Sequence, residues 1–247
     1  MYNDDGNVAT SIQRRLMSAT QHQASAVVFD LDGVLIDSTP FHSRAFEEVF
    51  RPFGIRDFDY RQYAGWKTAN VIENVLRRAG QEPAAQLISE LAAAKSRLAR
   101  ENLIAANPVA PDCIPVLERL AREYSLALSS SGSRASIDLF LSSNGCAHLF
   151  QSILCGDDVS FAKPHPEIYR RTFAALNVTP GAAVVVEDAI AGIQAARAAG
   201  AGVVIGVEGT FSASQLSGAG ADGVIPGVRD LPGFLFDAYA SAVSTKN

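Results

Sequence analysis

The sequence predicts an α/β fold, with a doubly wound parallel sheet interrupted by one helical insertion. Three observations carry this. Continuous apolar runs of strand length recur at 26–29, 125–128, 182–186 and 203–207, each ending in polar or glycine-bearing residues. A strand buried on both faces is apolar without alternation, as in the middle of a parallel sheet. The alanine-rich stretches between the runs have helical spacing, and residues 41–108 break the rhythm with helical patterns but no buried strand. The core is therefore expected to be Rossmann-like.

The elements follow in order. Residues 1–24 are polar, include Asp4 and Asp5 and lack the apolar run of a signal peptide, so a disordered or loosely attached tail is expected. The run at 26–29 is the first strand. Within the insertion, 69–79 and 90–103 read as helices. Pro108, Pro111 and Pro115 mark the return to the sheet and introduce a helix at 116–123. The segment 189–199 is rich in helix formers, has Ile190 and Ile193 on one face and stops at Gly200, as a crossover helix between two strands should. The expected division is thus a core of 25–40 and 109–247 around an insertion of 41–108.

Composition limits the function. At 247 residues and 48% hydrophobic, the chain can bury a core domain carrying a smaller one. Only 19% of residues are charged and the net charge is −5, so no basic surface is available for nucleic acid. Cys113, Cys146 and Cys155 are odd in number and form no C-x-x-C pair, which indicates neither a disulfide framework nor a thiolate metal cage. No run reaches the length of a membrane helix. A soluble, cytoplasmic protein is expected, with no nucleic acid or membrane partner. The oligomeric state is left open, and a monomer is compatible with the sequence.

In open α/β sheets the functional groups collect at the carboxyl ends of the strands. Here the first run ends in Asp30-Leu31-Asp32-Gly33, the second in Ser129-Ser130-Ser131 and the third in Glu187-Asp188, while Lys163 sits in a loop stiffened by Pro164 and Pro166. Carboxylates converging in one cleft repel each other unless a cation joins them, and oxygen-only ligands suit a hard ion such as magnesium. A phosphoryl group in transfer needs its oxygens neutralised from several sides, which a lysine, a hydroxyl and a metal ion do. A carboxylate can attack phosphorus to give an aspartyl phosphate, and a second carboxyl two residues on can protonate the leaving alkoxide and then deprotonate water.

These stretches resemble the haloacid dehalogenase superfamily, in the helical-cap subgroup that includes β-phosphoglucomutase and many sugar phosphatases. The matching segments are 27–38, the Ser130 segment, Lys163-Pro164 with Pro166 and Tyr169, and Val186-Glu187-Asp188 through Gly192 to Gly200. The resemblance implies that Asp30 is the nucleophile and a metal ligand, and that Asp32 is the general acid/base whose backbone carbonyl also ligates Mg2+. It further implies that Asp188 is a metal ligand, with Glu187 in the same role or just behind it. Ser130 would bind a phosphoryl oxygen, and Lys163 would bridge nucleophile and phosphoryl group. In the insertion, which would be the cap, His42, Trp66, Lys67, Thr68, Lys95 and Arg97 are candidates for contact with a small phosphorylated metabolite.

The reaction implied is hydrolysis of a sugar or polyol phosphate, with phosphosugar mutation as the alternative. A mutase needs an arginine or similar group in the cap for its second phosphate. This chain has Lys67 or Thr68 in that region, and Gly132 where β-phosphoglucomutase has a second serine. Asp32 and the Glu187-Asp188 pair disfavour dehalogenation, and Lys67 would have to act as a Schiff-base lysine for phosphonate cleavage. A phospho-aspartate signalling domain or an idle binding domain fits poorly, because the former lacks such an insertion and the latter would not be expected to keep both Asp30 and Asp32.

Overall fold

The structure is a computed structural model that describes residues 24–244. The tail expected at 1–24 lies outside the described residues except for Ala24, which is buried against the core rather than loosely attached. Six strands form one sheet: β1 (Ala26–Phe29), β2 (Ser125–Ser129), β3 (Phe150–Leu154), β4 (Ala183–Glu187), β5 (Val203–Val207) and β6 (Gly223–Ile225). Their spatial order is β3-β2-β1-β4-β5-β6, with every neighbouring pair parallel. The order reverses between β1 and β4, the switch point at which an open sheet leaves a crevice for ligands.

The strands with continuous apolar runs are buried on both faces. Val27, Phe29, Leu126, Leu128, Val184, Val186, Val203 and Ile205 face one core cluster, while Val28, Ala127, Ala183, Val185 and Val204 face the other. The edge strands β3 and β6 were not expected. β3 buries only Phe150 fully, and β6 has three residues beginning with glycine, so neither presents a continuous apolar run.

Between β1 and β2 lie α1 (Thr39–Phe50), α2 (Thr68–Arg78) and α3 (Ala85–Ala106), with short 3-10 turns at Arg51–Phe53 and Tyr60–Tyr63. α1 begins two residues before the expected start of the insertion, because Pro40 sits in its first turn, where a missing N–H costs nothing and φ is already helical. These helices bury their own cluster, with Phe46, Val49 and Phe50 from α1 packed on Val71, Ile72, Val75 and Leu76 from α2. That i, i+3, i+4 spacing puts the apolar residues of each helix on one face.

The remaining helices are α4 (Cys113–Leu120), α5 (Arg134–Asn144), α6 (Glu167–Ala175), α7 (Ile190–Ala198), α8 (Ala213–Ala219) and α9 (Leu231–Ser244). α4 starts earlier than Pro115 suggested, since a proline in the first turn breaks no helical hydrogen bond. Among the described residues no helix is long and apolar enough to cross a membrane.

Candidate active site

Strand register assembles the site. Phe29 pairs with Leu128 on one side and with Val186 on the other, so the next residues, Asp30, Ser129 and Glu187, emerge level at the carboxyl edge. The Asp30 backbone N–H still donates to the Val186 carbonyl at 3.0 Å. The chain then turns tightly, with the amides of Leu35 and Ile36 donating back to the Leu31 carbonyl. Gly33 has a φ of +80°, and a side chain there would collide with the Asp188 carboxylate, so glycine permits both the turn and the approach of Asp188.

Lys163 is buried at the centre, with its side chain 1% exposed. Its ammonium donates to Asp30 Oδ1 at 2.6 Å, Glu187 Oε1 at 2.6 Å and the Ser129 carbonyl at 3.1 Å, which uses all three of its donors. Asp30 and Glu187 in turn hold Lys163 protonated, against the opposing effect of burial. Tyr169 donates to the same Glu187 oxygen at 2.5 Å. Glu187 is therefore committed on one oxygen to Lys163 and Tyr169, a role for Tyr169 that its position on a helix face did not reveal.

Carboxylate oxygens of Asp30, Glu187 and Asp188 lie within 4.8 Å of one another. Burial pushes the Asp30 carboxyl up to about 8, with Glu187 and Asp32 adding to this and Lys163 opposing it. Burial, then Glu187 and Asp30, push Asp188 well above the usual carboxylate range. Such groups resist ionising together, and an all-oxygen, net-negative cluster of this kind fits a hard divalent cation. Asp32 contributes no side-chain oxygen to the cluster. Asp188 Oδ2 accepts a hydrogen bond from Thr210 Oγ1 at 3.1 Å, and Thr210 Oγ1 is also 3.1 Å from Thr39 Oγ1 in the first residue of α1.

Asp32 belongs to a different chain of contacts. Its Oδ1 accepts from Ser38 Oγ at 2.6 Å and lies 2.8 Å from His42 Nε2, while His42 Nδ1 lies 2.7 Å from Lys95 Nζ. One arrangement of protons satisfies all three groups: Lys95 donates to Nδ1, and a neutral His42 donates from Nε2 to Asp32. Burial and then Lys95 lower the His42 pKa, which keeps the ring neutral. Burial acts to raise Asp32, yet His42, Ser38 and Lys95 together hold it well below the usual range. Lys95 is not a solvated cation, because it is buried against the Phe46 ring at 4.4 Å.

Burial pulls the Lys95 pKa down to about 8, with Asp32 opposing. Deprotonation above that pH leaves an amine that can still donate to His42 but removes the positive charge that helps to hold Asp32 ionised and His42 neutral. Activity is expected to fall above pH 8 in the unaltered protein, and Lys95→Met should be slower and lack this alkaline limb. A pH–rate profile of both proteins checks it, and an unchanged limb in the variant contradicts the assignment.

The three consecutive serines have three different fates. Ser129 Oγ is 2.7 Å from Thr172 Oγ1, and Ser131 Oγ donates to the Gly65 carbonyl at 2.7 Å. Ser130 Oγ accepts from the Gly132 amide at 2.9 Å, which leaves its own hydrogen for a ligand. A side chain at Gly132 would begin 3.1 Å from Ser130 Oγ and 3.5 Å from Asp32 Oδ2, so both oxygens face the same small space.

This space is a cavity of about 50 Å³ between the insertion and the sheet, lined by Asp30, Asp32, Ser130, Glu187 and Asp188 from below and by His42, Tyr60, Trp66, Thr68 and Lys95 from above. Trp66 stands at the rim, 36% exposed. Two candidates lie elsewhere. Lys67 donates to the Val159 carbonyl at 2.6 Å, and Arg97 is 64% exposed beside Glu101. Neither lines the cavity. A roomier cavity of about 490 Å³ lies behind Thr39 and Thr210 and includes none of these carboxylates. Sequence reasoning did not single out Ser38, Tyr60 or Thr210, which lie in segments without periodicity; Tyr60 and Thr210 are also remote in sequence from the motifs they serve.

Comparisons with known proteins show the family of the chain. The family model described as haloacid dehalogenase-like hydrolase matches residues 27–206. Protein CbbY of Cereibacter sphaeroides is 31% identical over 220 residues, covering 84% of this chain and 94% of that protein. The validoxylamine A 7'-phosphate phosphatase of Streptomyces hygroscopicus subsp. limoneus is 32% identical over 201 residues, covering 78% of this chain and 89% of that protein. A crystal structure of mutant CbbY from Rhodobacter sphaeroides in complex with xylulose-(1,5)bisphosphate is similar at a TM-score of 0.72 and 28% identity, covering 85% of this chain and 96% of that one.

Proposed function

Since the chain belongs to the haloacid dehalogenase-like hydrolases, we propose that it hydrolyses the phosphomonoester of a small sugar or polyol phosphate through a phosphoryl group carried on Asp30, with Mg2+ as cofactor. The observation that carries this reading is the meeting of Asp30, Ser130 and Asp188 with the Asp32–His42–Lys95 chain around one cavity, with Lys163 bonded to Asp30 behind it.

The residues divide the work. Lys163 occupies Asp30 Oδ1, so Oδ2 is the oxygen that attacks phosphorus. The bond from Asp30 Oδ2 to phosphorus forms as the ester P–O bond breaks, and the leaving alkoxide takes a proton from Asp32. Asp32 rests as a carboxylate, but a phosphoryl anion entering beside it raises its pKa, so protonation accompanies substrate binding. His42 and Ser38 fix Asp32 Oδ1 and leave Oδ2 for the proton. Asp32 then takes a proton from water as the water oxygen attacks phosphorus, the P–O bond to Asp30 breaks and phosphate leaves. Lys163 and Ser130 neutralise phosphoryl oxygens throughout. Asp30, Asp188 and the Asp32 carbonyl, with Glu187 close behind, would hold Mg2+, which would supply further neutralisation of phosphoryl charge.

A cavity of about 50 Å³ has no room for a sugar. Substrate entry therefore requires the Ser131–Gly65 and Lys67–Val159 hydrogen bonds between core and insertion to open. Among the described residues no arginine lines the cavity, which favours water over a phosphosugar as the second acceptor. The engagement of Lys67 with a backbone carbonyl likewise speaks against a Schiff-base role. The names of the relatives, a validoxylamine phosphate phosphatase and a protein crystallised with a pentulose bisphosphate, support a polyhydroxylated substrate.

The test is phosphate release from glucose 6-phosphate, fructose 1-phosphate, xylulose 1,5-bisphosphate, glycerol 3-phosphate, phosphogluconate and phosphoglycolate, with Mg2+ and with chelator. Release that requires Mg2+ supports the reading. Interconversion of β-glucose 1-phosphate and glucose 6-phosphate without release replaces it with the mutase.

Thr210 gives a separate expectation. Its hydroxyl orients a metal-ligand carboxylate, and loss of such a partner typically weakens metal binding roughly 10- to 100-fold. Thr210→Val should show that weakening towards Mn2+ or Mg2+ in calorimetric titration, and equal affinity would show the contact to be incidental.

A further inference from the structure

We propose that the Tyr60 hydroxyl is a substrate-contacting group that donates a hydrogen bond to an oxygen on the organic part of the substrate, an inference that rests on the phosphatase reading and extends it to specificity. Tyr60 opens the 3-10 turn Tyr60–Tyr63 of the insertion, where the Asp59 side chain caps the turn by accepting from the Arg61 amide. Its ring lies 6.0 Å from the His42 ring and 6.0 Å from that of Phe46, which seats it in the roof of the cavity above the carboxylates.

What distinguishes this tyrosine is its hydroxyl. Tyr63 donates to Asn74 and accepts from Arg78, and Tyr169 donates to Glu187. The Tyr60 hydroxyl has no hydrogen-bond partner among the described residues, although it lines a polar cavity. A phenol held there without a partner is a donor awaiting an acceptor. Burial, then Asp32, Asp188 and Asp30, keep it protonated far above neutral pH, so it serves as a donor under any working condition.

The acceptor follows from what the other donors already do. Lys163 and Ser130 approach from the core, on the side where Asp30 holds phosphorus. From the insertion, Lys95 is committed to His42 and Lys67 to the Val159 carbonyl. Tyr60 is thus a roof donor left, beside the Thr68 hydroxyl and the Trp66 indole N–H at the rim, for the half of the substrate opposite Asp30, which is the leaving group. The class of ligand is an alkyl phosphate with a hydroxyl, carbonyl or ring oxygen near the ester carbon.

The experiment compares kcat/KM of the unaltered protein and Tyr60→Phe on two probes, the sugar phosphate of the panel above that is hydrolysed fastest and p-nitrophenyl phosphate, whose ring offers no such oxygen near the ester. Phenylalanine keeps the packing on His42 and Phe46, and thermal denaturation verifies the fold. A loss of roughly 10- to 100-fold on the sugar phosphate, with p-nitrophenyl phosphate changed by less than about 3-fold, is expected. Equal losses on both, or no loss on the sugar phosphate, overturn the inference while leaving the phosphatase reading intact. No hydrolysis of any phosphate by the unaltered protein overturns that reading and this inference with it.

Discussion

Asp30→Asn is expected to lower turnover by on the order of 10⁴-fold or more, the scale on which removing a covalent nucleophile is felt. The substitution is nearly isosteric and keeps an oxygen for Lys163, which retains Glu187 and the Ser129 carbonyl as partners. The fold should therefore survive, and the loss should be chemical. Rapid acid quench after mixing with labelled substrate should trap a phosphorylated chain in the unaltered protein and none in the variant. Full activity in Asp30→Asn would refute the proposed nucleophile. Asp32→Asn, by contrast, should still form some phosphorylated chain, because its role is to move protons rather than to accept phosphorus.

The second large effect concerns Lys163, and it reaches stability as well as rate. Its ammonium is enclosed with Asp30 and Glu187, whose side chains are 8% and 1% exposed. Removing one member of a buried ion cluster leaves the others uncompensated, which typically costs about 3–5 kcal/mol. For a chain of this size that corresponds to a fall in Tm of about 6–20 °C. Lys163→Met should show such a fall in chelator, with part of it recovered when Mg2+ is added, because the cation replaces some of the missing positive charge. Turnover at saturating Mg2+ should still be down by about 10²- to 10³-fold, since the electrostatic support for the transferring group is gone. A variant with unchanged Tm and rate would mean that the Lys163 contacts carry little of the energy assigned to them here.

Several residues of the candidate site were legible because chemistry and fold share the same short segments. Asp30 follows a run that is apolar because both faces of β1 are covered, and Glu187 and Asp188 end another such run. Lys163 was marked by the prolines around it, and it bonds to Asp30 from 133 residues away. Ser130 could not be separated from its neighbours by type alone. Only the direction in which each hydroxyl leaves the strand end distinguishes it from Ser129 under the sheet and Ser131 on the insertion.

Other residues needed tertiary structure for a physical reason. Lys95 looks like any lysine on a polar helix, yet α3 packs against α1 and buries its ammonium on a histidine 53 residues away. Arg97, two residues on, points to the opposite side because successive helical residues are about 100° apart. Lys67 and Thr68 are adjacent, and only one of them lines the cavity. Periodicity and composition therefore determined the α/β class, the buried strands and the residue types at their ends, because burial on both faces leaves an unbroken apolar signature. The edge strands, the partners of Asp32 and the placing of Tyr60 and Thr210 were decided by packing between segments distant in sequence, where no local pattern records which polar group will meet which.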